Sequence, residues 1–280
     1  MSVLVSSEWL ARRLKDQPEN TAIIDVRFSL ADPEAGRMAY EKSHIPGAVY
    51  LDLNKDLSGP VQTHGGNHPL PDINDFAEKM GEIGIDNETT VVIYDQDNDM
   101  FSARLWWLLH YAGHGHVYIL DGGLASWMRQ GHVTTNKIPV PEVKQFKPSV
   151  RANKVVHIDG VKERLKNGSA VLLDSRARDR YLGKTEPLYA KAGHIPGAKN
   201  YFWKDVLDEN GLWKNEKELA SHFKALSKDD EIIVSCGSGV SACPNVLALK
   251  MAGYENVKLY PGSFSDWISY EENEVETDAE

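Results

Sequence analysis

Short apolar runs alternate with amphipathic stretches along most of this chain. The first half contains "TAIID", "TVVIYD" and "HVYILD", and the second half contains "AVLLD", "EIIVS" and "NVKLYP" in the same order. Runs this apolar are typical of parallel strands that are covered on both faces. Helical patterns such as "SARLWWLLHYAG" and "SACPNVLALKMAG" follow the middle run of each half and stop at Ala-Gly, an ordinary helix exit. The pattern predicts an α/β fold in which mostly parallel sheets are flanked by helices.

The two halves are copies of each other. His44–Ala48 and His194–Ala198 are the same pentapeptide, "HIPGA". A repeat this long exceeds the roughly 20–50 residues of solenoid units and indicates two copies of one domain. Other corresponding residues are Asp25 and Asp174, Gly113 and Gly253, and Trp127 and Trp267.

The domain boundaries follow from a change in composition between the copies. The stretch "NKIPVPEVKQFKPSVRANK" is rich in Pro and Lys and has weak periodicity, which is typical of a linker. We therefore expect a first domain at residues 1–133, a linker at 134–154 and a second domain at 155–280.

Composition and charge exclude several classes of function. The chain has 280 residues, of which 41% are hydrophobic, and a net charge of −10 without a basic stripe, so nucleic acid is not an expected partner. No apolar run approaches the roughly 20 residues that span a bilayer, so no membrane association is expected. Two cysteines and no export-signal pattern predict a cytoplasmic location, and no metal-ligand spacing or cofactor motif is present.

Turn chemistry explains two further features of both copies. Pro-Gly in "HIPGA" sets a turn beneath which the histidine can pack, so we interpret His44 and His194 as structural. Trp127 and Trp267 follow the turns "DGG" and "PGS", and we expect both indoles in the core.

The stretch "EIIVSCGSGVSA" places Cys236 where a strand ends and a Gly-rich loop begins. Gly237 and Gly239 let the loop turn sharply, and we expect a helix from about Ser241, with Pro244 in its first turn. Backbone N–H groups in such a loop, backed by a helix N-terminus, stabilise an anion.

The first copy has Asp95 at the position that corresponds to Cys236. The two copies therefore share a scaffold, and only the second has a thiol at the entrance of the loop. We interpret Cys236 as a nucleophile, with an inert thiol in a glycine turn as the alternative. Cys243 lies within the predicted helix, and we interpret it as a packing residue.

The duplicated layout, "CGSGVS" and "HIPGA" resemble the tandem rhodanese-domain sulfurtransferases from about Val3 to about Tyr270. Within that family, the loop resembles the 3-mercaptopyruvate form, Cys-Gly-Ser-Gly-Val-Thr/Ser, rather than the thiosulfate form, Cys-Arg-Lys-Gly-Val-Thr. The resemblance implies two rhodanese-like domains, the first of them non-catalytic. It also implies transfer of a sulfane sulfur from a small anionic donor through a Cys236 persulfide to a thiol or cyanide, with thioredoxin among the acceptors.

The resemblance also assigns roles to residues around the loop. Gly237, Ser238, Gly239, Val240 and Ser241 would hold the persulfide and the donor. Ser238 would form a proton relay with His68 and an aspartate, although His68 beside Pro69 can equally be a turn residue. The aspartate position has Asn54, and an amide orients a histidine but does not stabilise its charged form.

Arg180 matches the first of two arginines with which the family binds its donor, and a surface arginine is the alternative interpretation. The second arginine is missing, because Leu188 follows Glu186 and Pro187. Lys184 or Lys191 could substitute only as point charges.

Three competing functions follow from the same residues. A Cys-based phosphatase requires Cys-x5-Arg, and the sixth residue after Cys236 is Ala242, so we reject that function. Thiosulfate as the donor, and a catalytically weak sulfur-carrier or binding module, stay open, because Asn54 and Leu188 both depart from the mercaptopyruvate pattern.

Overall fold

The structure, a computed structural model, describes residues 3–277. The chain forms two compact units. The first unit comprises Met1–Gly59, Pro71–Arg151 and Glu209–Trp213, and the second comprises Pro60–Leu70, Ala152–Asp208 and Lys214–Glu280. The short segment 60–70 therefore belongs to the second unit although it precedes most of the first unit in sequence.

The first unit contains a five-stranded sheet with the strand order β1-β5-β4-β2-β3, and every pairing between these strands is parallel. Its strands are β1 (Leu4–Val5), β2 (Thr21–Asp25), β3 (Ala48–Tyr50), β4 (Thr90–Tyr94) and β5 (Val117–Leu120). Its helices are α1 (Ser7–Asp16), α2 (Ala35–Lys42), α3 (Ile73–Glu82), α4 (Met100–Tyr111) and α5 (Gly123–Arg129).

The second unit contains a four-stranded parallel sheet with the order β7-β6-β8-β9. Its strands are β6 (Ala170–Asp174), β7 (Lys199–Asn200), β8 (Glu231–Ser235) and β9 (Val257–Leu259). Its helices are α6 (Ile158–Asn167), α7 (Arg178–Tyr181), α8 (Glu216–His222), α9 (Cys243–Met251) and α10 (Ser263–Trp267). The prediction of two α/β domains with parallel sheets flanked by helices is confirmed.

The central strands of both sheets position equivalent residues at one edge. All five residues of β4 are buried, as are four of the five in β8, which is why these strands read as apolar runs. In β4, Tyr94 pairs with Asp25, and in β8, Ser235 pairs with Asp174. The next residues, Asp95 and Cys236, therefore lie just beyond the carboxyl ends of their strands, where α/β sheets bind ligands.

The two "HIPGA" histidines have a structural role, as predicted. His44 stacks on Tyr40 with ring centroids 4.1 Å apart, and His194 stacks on Tyr181 at 3.8 Å. Their Nδ1 atoms lie 2.7 and 2.8 Å from the carbonyl oxygens of the same tyrosines. Both histidines are buried, so the pentapeptides fix the fold rather than a site.

The two tryptophans are in the core, as the sequence patterns predict. Trp127 and Trp267 are buried, and their indole N–H groups donate to the carbonyl oxygens of Val133 and Glu274. Residues 136–151 contain no helix or strand. None of the helices within residues 3–277 is long and apolar enough to cross a membrane.

One segment distinguishes the second repeat from the first. The stacked tyrosine and histidine are 4 residues apart in the first repeat and 13 apart in the second. The aspartate that ends the preceding strand and the histidine are almost equally far apart in the two repeats, 19 residues from Asp25 to His44 and 20 from Asp174 to His194. The second repeat therefore differs in placing irregular chain after the stacked tyrosine, in residues 182–193, which form no helix or strand. We call this stretch the 182–193 segment.

Candidate active site

Cys236 lies between β8 and α9 and is only 1% exposed. The helix begins at Cys243, two residues later than predicted, and Pro244 lies in its first turn as expected. The Gly239 N–H donates a hydrogen bond to the Cys236 sulfur at 3.2 Å. A loop N–H group therefore points at the sulfur, in the arrangement that stabilises an anion at this position.

The first residues of α10 hold the loop in place. The Cys236 N–H donates to the Ser263 hydroxyl oxygen at 3.0 Å, and that oxygen lies 4.0 Å from the sulfur. The carbonyl groups of Cys236 and Gly237 accept hydrogen bonds from the N–H groups of Phe264 and Ser265 at 3.0 and 2.8 Å. These two carbonyl groups are thereby bonded to α10, while the Gly239 N–H donates to the sulfur.

Both glycines of the loop are required by close approaches. A Cβ atom at Gly239, which has φ of 77°, would lie 2.2 Å from the carbonyl oxygen of Pro261. A Cβ atom at Gly237 would lie 2.6 Å from the Tyr189 hydroxyl oxygen. Val240 is buried and Ser241 is half-buried. The backbone of this loop is therefore fixed by contacts that exclude side chains.

His68 and Ser238, which the family resemblance joins in a proton relay, lie together. The His68 Nδ1 atom is 2.7 Å from the Ser238 hydroxyl oxygen. The segment that carries His68 is held within the second unit, because the Gly65 N–H donates to the Asp266 carboxylate at 2.7 Å and the Asn67 N–H donates to a serine hydroxyl at 3.1 Å. An imidazole in contact with a hydroxyl can move a proton.

The aspartate expected beside this histidine is replaced, and the nearby carboxylates have other contacts. Asn54 is exposed in the first unit. The Asp52 carboxylate accepts the N–H groups of Asn54 and Lys55 at 2.8 and 3.0 Å, so it stabilises its own turn. Burial raises the pKa of the Asp56 carboxyl group. The departure noted at Asn54 is therefore present in the structure.

Arg180 belongs to a balanced cluster of charges. Its guanidinium donates to both oxygens of Glu186, the shortest contact being 2.8 Å, and the Arg180 side chain is 20% exposed whereas Glu186 is 2% exposed. Glu186 also accepts from Arg176 at 3.2 Å, and Arg176 forms a forked pair with Asp174. Two guanidinium groups therefore face two carboxylates, and Arg180 presents a partly exposed edge.

Tyr189 is a site residue that the sequence analysis missed. The Arg180 guanidinium lies 5.4 Å from the centre of its ring, and Phe264 packs against the ring edge-on at 6.0 Å. Its hydroxyl oxygen lies 2.6 Å from the place that a Cβ atom on Gly237 would occupy. Burial, and next the negative charge of Cys236, raise the pKa of Tyr189. Tyr189 thus connects the arginine to the cysteine loop.

The positions that could replace the missing arginine do not supply a matching group. Leu188 is 56% exposed. The Lys191 ammonium lies 3.5 Å from the carbonyl oxygen of Asn273. Lys184 is exposed to solvent. A guanidinium is therefore not reproduced at the second donor-binding position.

Some of the missed residues left signals in the sequence. Arg176 occurs in "DSR" at the position of Arg27 in "DVR", and both arginines fork on the preceding aspartate. Glu186 and Tyr189 lie in the 182–193 segment, which left no such signal, because the aspartate and the "HIPGA" histidine are 19 residues apart in the first repeat and 20 in the second.

Comparisons with known proteins agree with this geometry. The profile of the rhodanese-like domain family matches residues 6–130 and 157–270. A protein named "Probable 3-mercaptopyruvate sulfurtransferase" from Pseudomonas aeruginosa is 39% identical over 95% of both chains. A thiosulfate sulfurtransferase from Cricetulus griseus is 33% identical over 95% of this chain and 91% of its own. The crystal structure of SseA from Escherichia coli, described as a 3-mercaptopyruvate sulfotransferase, superposes with a TM-score of 0.81 and 35% identity over 95% of this chain and 100% of its own.

Proposed function

This chain belongs to the rhodanese-like family of sulfurtransferases, and we propose that it moves sulfur from 3-mercaptopyruvate to a thiol or cyanide through a persulfide on Cys236. The observation that carries the proposal is the Gly239 N–H, which lies 3.2 Å from the Cys236 sulfur beyond the end of β8. A backbone donor in this position favours negative charge on the attacking thiolate and on the persulfide that follows.

The reaction divides into two steps around one covalent intermediate. In the first step the Cys236 thiolate attacks the donor sulfur, an S–S bond forms, and the C–S bond breaks with its electron pair passing to the donor. The departing enolate takes the proton of the donor thiol at carbon and becomes pyruvate. In the second step an acceptor thiolate or cyanide attacks the outer sulfur, the S–S bond breaks, and Cys236 returns as a thiolate.

The residues around Cys236 would bind the persulfide, bind the donor and transfer the proton. The loop from Gly237 to Ser241 holds the persulfide through its backbone. Arg180 binds the anionic end of the donor with its exposed edge. The 2.7 Å contact between His68 and Ser238 supports a proton relay between these two side chains at the cysteine loop.

Thiosulfate is the second candidate donor. The glycine and serine that follow Cys236 favour 3-mercaptopyruvate, because no basic pair is present in the loop. The pairing of Arg180 with Glu186 favours thiosulfate, since it leaves little free guanidinium to clamp a carboxylate. The ratio of kcat/KM for the two donors decides between them.

The proposal extends to the location and the acceptor. Cys236 and Cys243 are both free thiols, and persulfide transfer to a thiol requires a reducing compartment. We therefore place the reaction in the cytoplasm, with a protein dithiol such as thioredoxin as an acceptor. We also assign catalysis to the domain predicted at residues 155–280, joined through the 134–154 linker to a non-catalytic domain at 1–133.

Intact-protein mass spectrometry after incubation with each donor tests the proposal. We expect wild-type protein to gain one sulfur atom and to lose it when cyanide is added. Cys236→Ser should gain none, because a hydroxyl does not form a persulfide. Cys243→Ser is the matched control and should still gain the sulfur, since its thiol is buried in α9 and donates to the Gly239 carbonyl oxygen.

Two results would contradict the assignment. One is wild-type protein that gains no sulfur from either donor, and the other is Cys236→Ser that turns over at the wild-type rate. A persulfide that forms without multiple turnover would instead identify a sulfur carrier.

A further inference from the structure

The 182–193 segment delivers two side chains to the cysteine loop. Glu186 is almost completely buried against Arg180, and Tyr189 packs against the edge of Phe264, whereas Leu188 between them is 56% exposed. The first repeat has no such stretch between its stacked tyrosine and histidine, which are only 4 residues apart. The segment therefore belongs to the repeat that has the thiol.

The Tyr189 hydroxyl lies directly over the start of the loop. A Cβ atom on Gly237, the residue after Cys236, would be 2.6 Å from this oxygen. The Arg180 guanidinium lies 5.4 Å from the centre of the Tyr189 ring. Tyr189 therefore lies between the proposed anion-binding arginine and the sulfur.

We propose that the Tyr189 hydroxyl binds the sulfur donor directly and donates a hydrogen bond to the donor oxygen that gains negative charge as the Cys236 persulfide forms. This inference rests on the proposed function and adds a catalytic residue to it. Arg180 then holds the anionic group of the donor, and Tyr189 supplies a second, neutral contact beside it.

The chemistry of the first step explains why a neutral donor group is useful there. When the Cys236 thiolate attacks 3-mercaptopyruvate and the C–S bond breaks, the electron pair moves onto the keto oxygen. A phenol donates a hydrogen bond to that oxygen without giving up its proton, and the enolate carbon takes the proton of the donor thiol. With thiosulfate the S–S bond of the donor breaks instead, and an oxygen of the departing sulfite accepts the hydrogen bond.

The electrostatic surroundings keep the phenol in the form that this role needs. Burial and the charge of Cys236 raise the pKa of Tyr189, and Arg180 opposes them more weakly. A tyrosine whose pKa is raised stays protonated at neutral pH, so its hydroxyl remains a hydrogen-bond donor.

Tyr189→Phe tests the proposal, because it keeps the ring against Arg180 and removes only the hydroxyl. Rapid-quench mass spectrometry should show persulfide formation slowed by about tenfold with the preferred donor, since hydrogen bonds to charged groups are among the stronger ones. Transfer from the preformed persulfide to cyanide should stay within about twofold of wild type, because no donor oxygen is present in that step.

Tyr254→Phe is the matched control in the same unit. The Tyr254 hydroxyl donates to the carbonyl oxygens of Phe223 and Leu226, so its loss should leave persulfide formation within about twofold. A crystal structure of wild-type protein with pyruvate or sulfite gives a second test that needs no substitution. It should place the Tyr189 oxygen within about 3.2 Å of a ligand oxygen.

The outcomes separate this inference from the proposed function. Unchanged persulfide formation in Tyr189→Phe, or a Tyr189 oxygen more than about 3.5 Å from every ligand oxygen, overturns the role of Tyr189 and leaves the sulfurtransferase reaction standing. Wild-type protein that forms no persulfide overturns both.

Discussion

Asp95 in the first repeat and Cys236 in the second occupy the same place beyond a central strand. The Asp95 carboxylate accepts the N–H groups of Asp99 and Ser102, both at 3.0 Å. The Cys236 sulfur accepts the N–H group of Gly239 at 3.2 Å. In both repeats the loop directs backbone N–H groups at the side chain that ends the strand, so this scaffold accommodates an acidic group whichever residue supplies it.

The comparison extends to the helix behind each loop. The carbonyl oxygens of Asp95 and Cys236 accept the N–H groups of Leu124 and Phe264, in both cases at 3.0 Å. What differs is the added chemistry: the second repeat has the thiol and the 182–193 segment, and the first has neither. A duplicated fold can therefore keep the same backbone contacts around this position while only one copy has a thiol there.

One residue at the start of α10 differs in type from its counterpart in the first repeat, although both have the same backbone conformation. Ser263 has φ of 53° and corresponds to Gly123, which has φ of 55°. A serine is sterically strained in this left-handed region of φ, whereas a glycine is not. The Ser263 hydroxyl accepts the Cys236 N–H and donates to the carbonyl oxygen of Tyr260. The strained conformation of Ser263 therefore accompanies a side-chain hydrogen bond to Cys236, which the glycine of the first repeat does not make.

After the loss of the thiol itself, the largest expected effect comes from the histidine and serine that the second unit brings together. His68→Ala and Ser238→Ala should each slow transfer from 3-mercaptopyruvate on the order of 100-fold, because a positioned general acid or base contributes that much. The double variant should be no slower than the slower single variant, since both residues serve one step. Single-turnover persulfide formation is the measurement.

His64→Ala is the control for that pair, because His64 lies on the same segment but stacks on Tyr270 and contacts Ser269. It should transfer sulfur within about twofold of the wild-type rate. Losses that simply multiply in the double variant would show that His68 and Ser238 act separately.

A smaller effect is expected when Ser263 is replaced by glycine, the residue at the corresponding position of the first repeat. Ser263→Gly should slow persulfide formation several-fold, because the Cys236 N–H loses its partner. Its free energy of unfolding should change little, since a lost hydrogen bond of about 1 kcal/mol is offset by about 1 kcal/mol of relieved backbone strain.

Ser263→Ala sharpens this comparison because it loses the hydroxyl but keeps the strain. Urea unfolding should find Ser263→Ala less stable than Ser263→Gly by about 1 kcal/mol. Equal stabilities would mean that the left-handed conformation of Ser263 carries no measurable cost.

The smallest effect on transfer is expected at Asp95, where stability should respond instead. Burial, and next Asp99, raise the pKa of Asp95 from its ordinary 3.8 to about 7. The folded state thus keeps this proton to a higher pH than the unfolded state does. Asp95 therefore lowers the free energy of unfolding progressively between about pH 4 and pH 7, and by a constant amount above that range.

Asp95→Asn should remove this dependence. The difference in free energy of unfolding between the variant and the wild type should shift in favour of the variant as pH rises through that range, and then stay level. Urea unfolding at several pH values measures it, with persulfide formation expected within about twofold throughout. A difference that does not vary with pH would contradict the raised pKa.

Local patterns explain why so much of the fold was predictable. β2, β4, β6 and β8 are apolar β-branched runs, and such runs read as buried parallel strands without further information. The loop at Cys236 was predictable for a related reason, since strand, glycines and helix follow one another in sequence. His68 was placed beside Ser238 by the family resemblance, not by any pattern in the sequence.

Long-range packing explains what the sequence did not reveal. Tyr189 lies in an irregular segment with no periodicity, and its direction is set by Arg180 and Phe264 rather than by its neighbours. The pairing of Arg180 with Glu186 was missed because opposite charges six residues apart are common in exposed loops. Only the fold shows that this glutamate is buried.

The balanced cluster of Arg176, Arg180, Asp174 and Glu186 has a consequence for how a donor arrives. Two positive and two negative groups at short range cancel at a distance, and the whole chain has a net charge of −10. An approaching anion is therefore repelled at long range and attracted only at contact. The association rate of an anionic donor should therefore rise when salt is added, because the salt screens this repulsion. Enzymes whose active-site clefts are positively charged show the opposite dependence on salt.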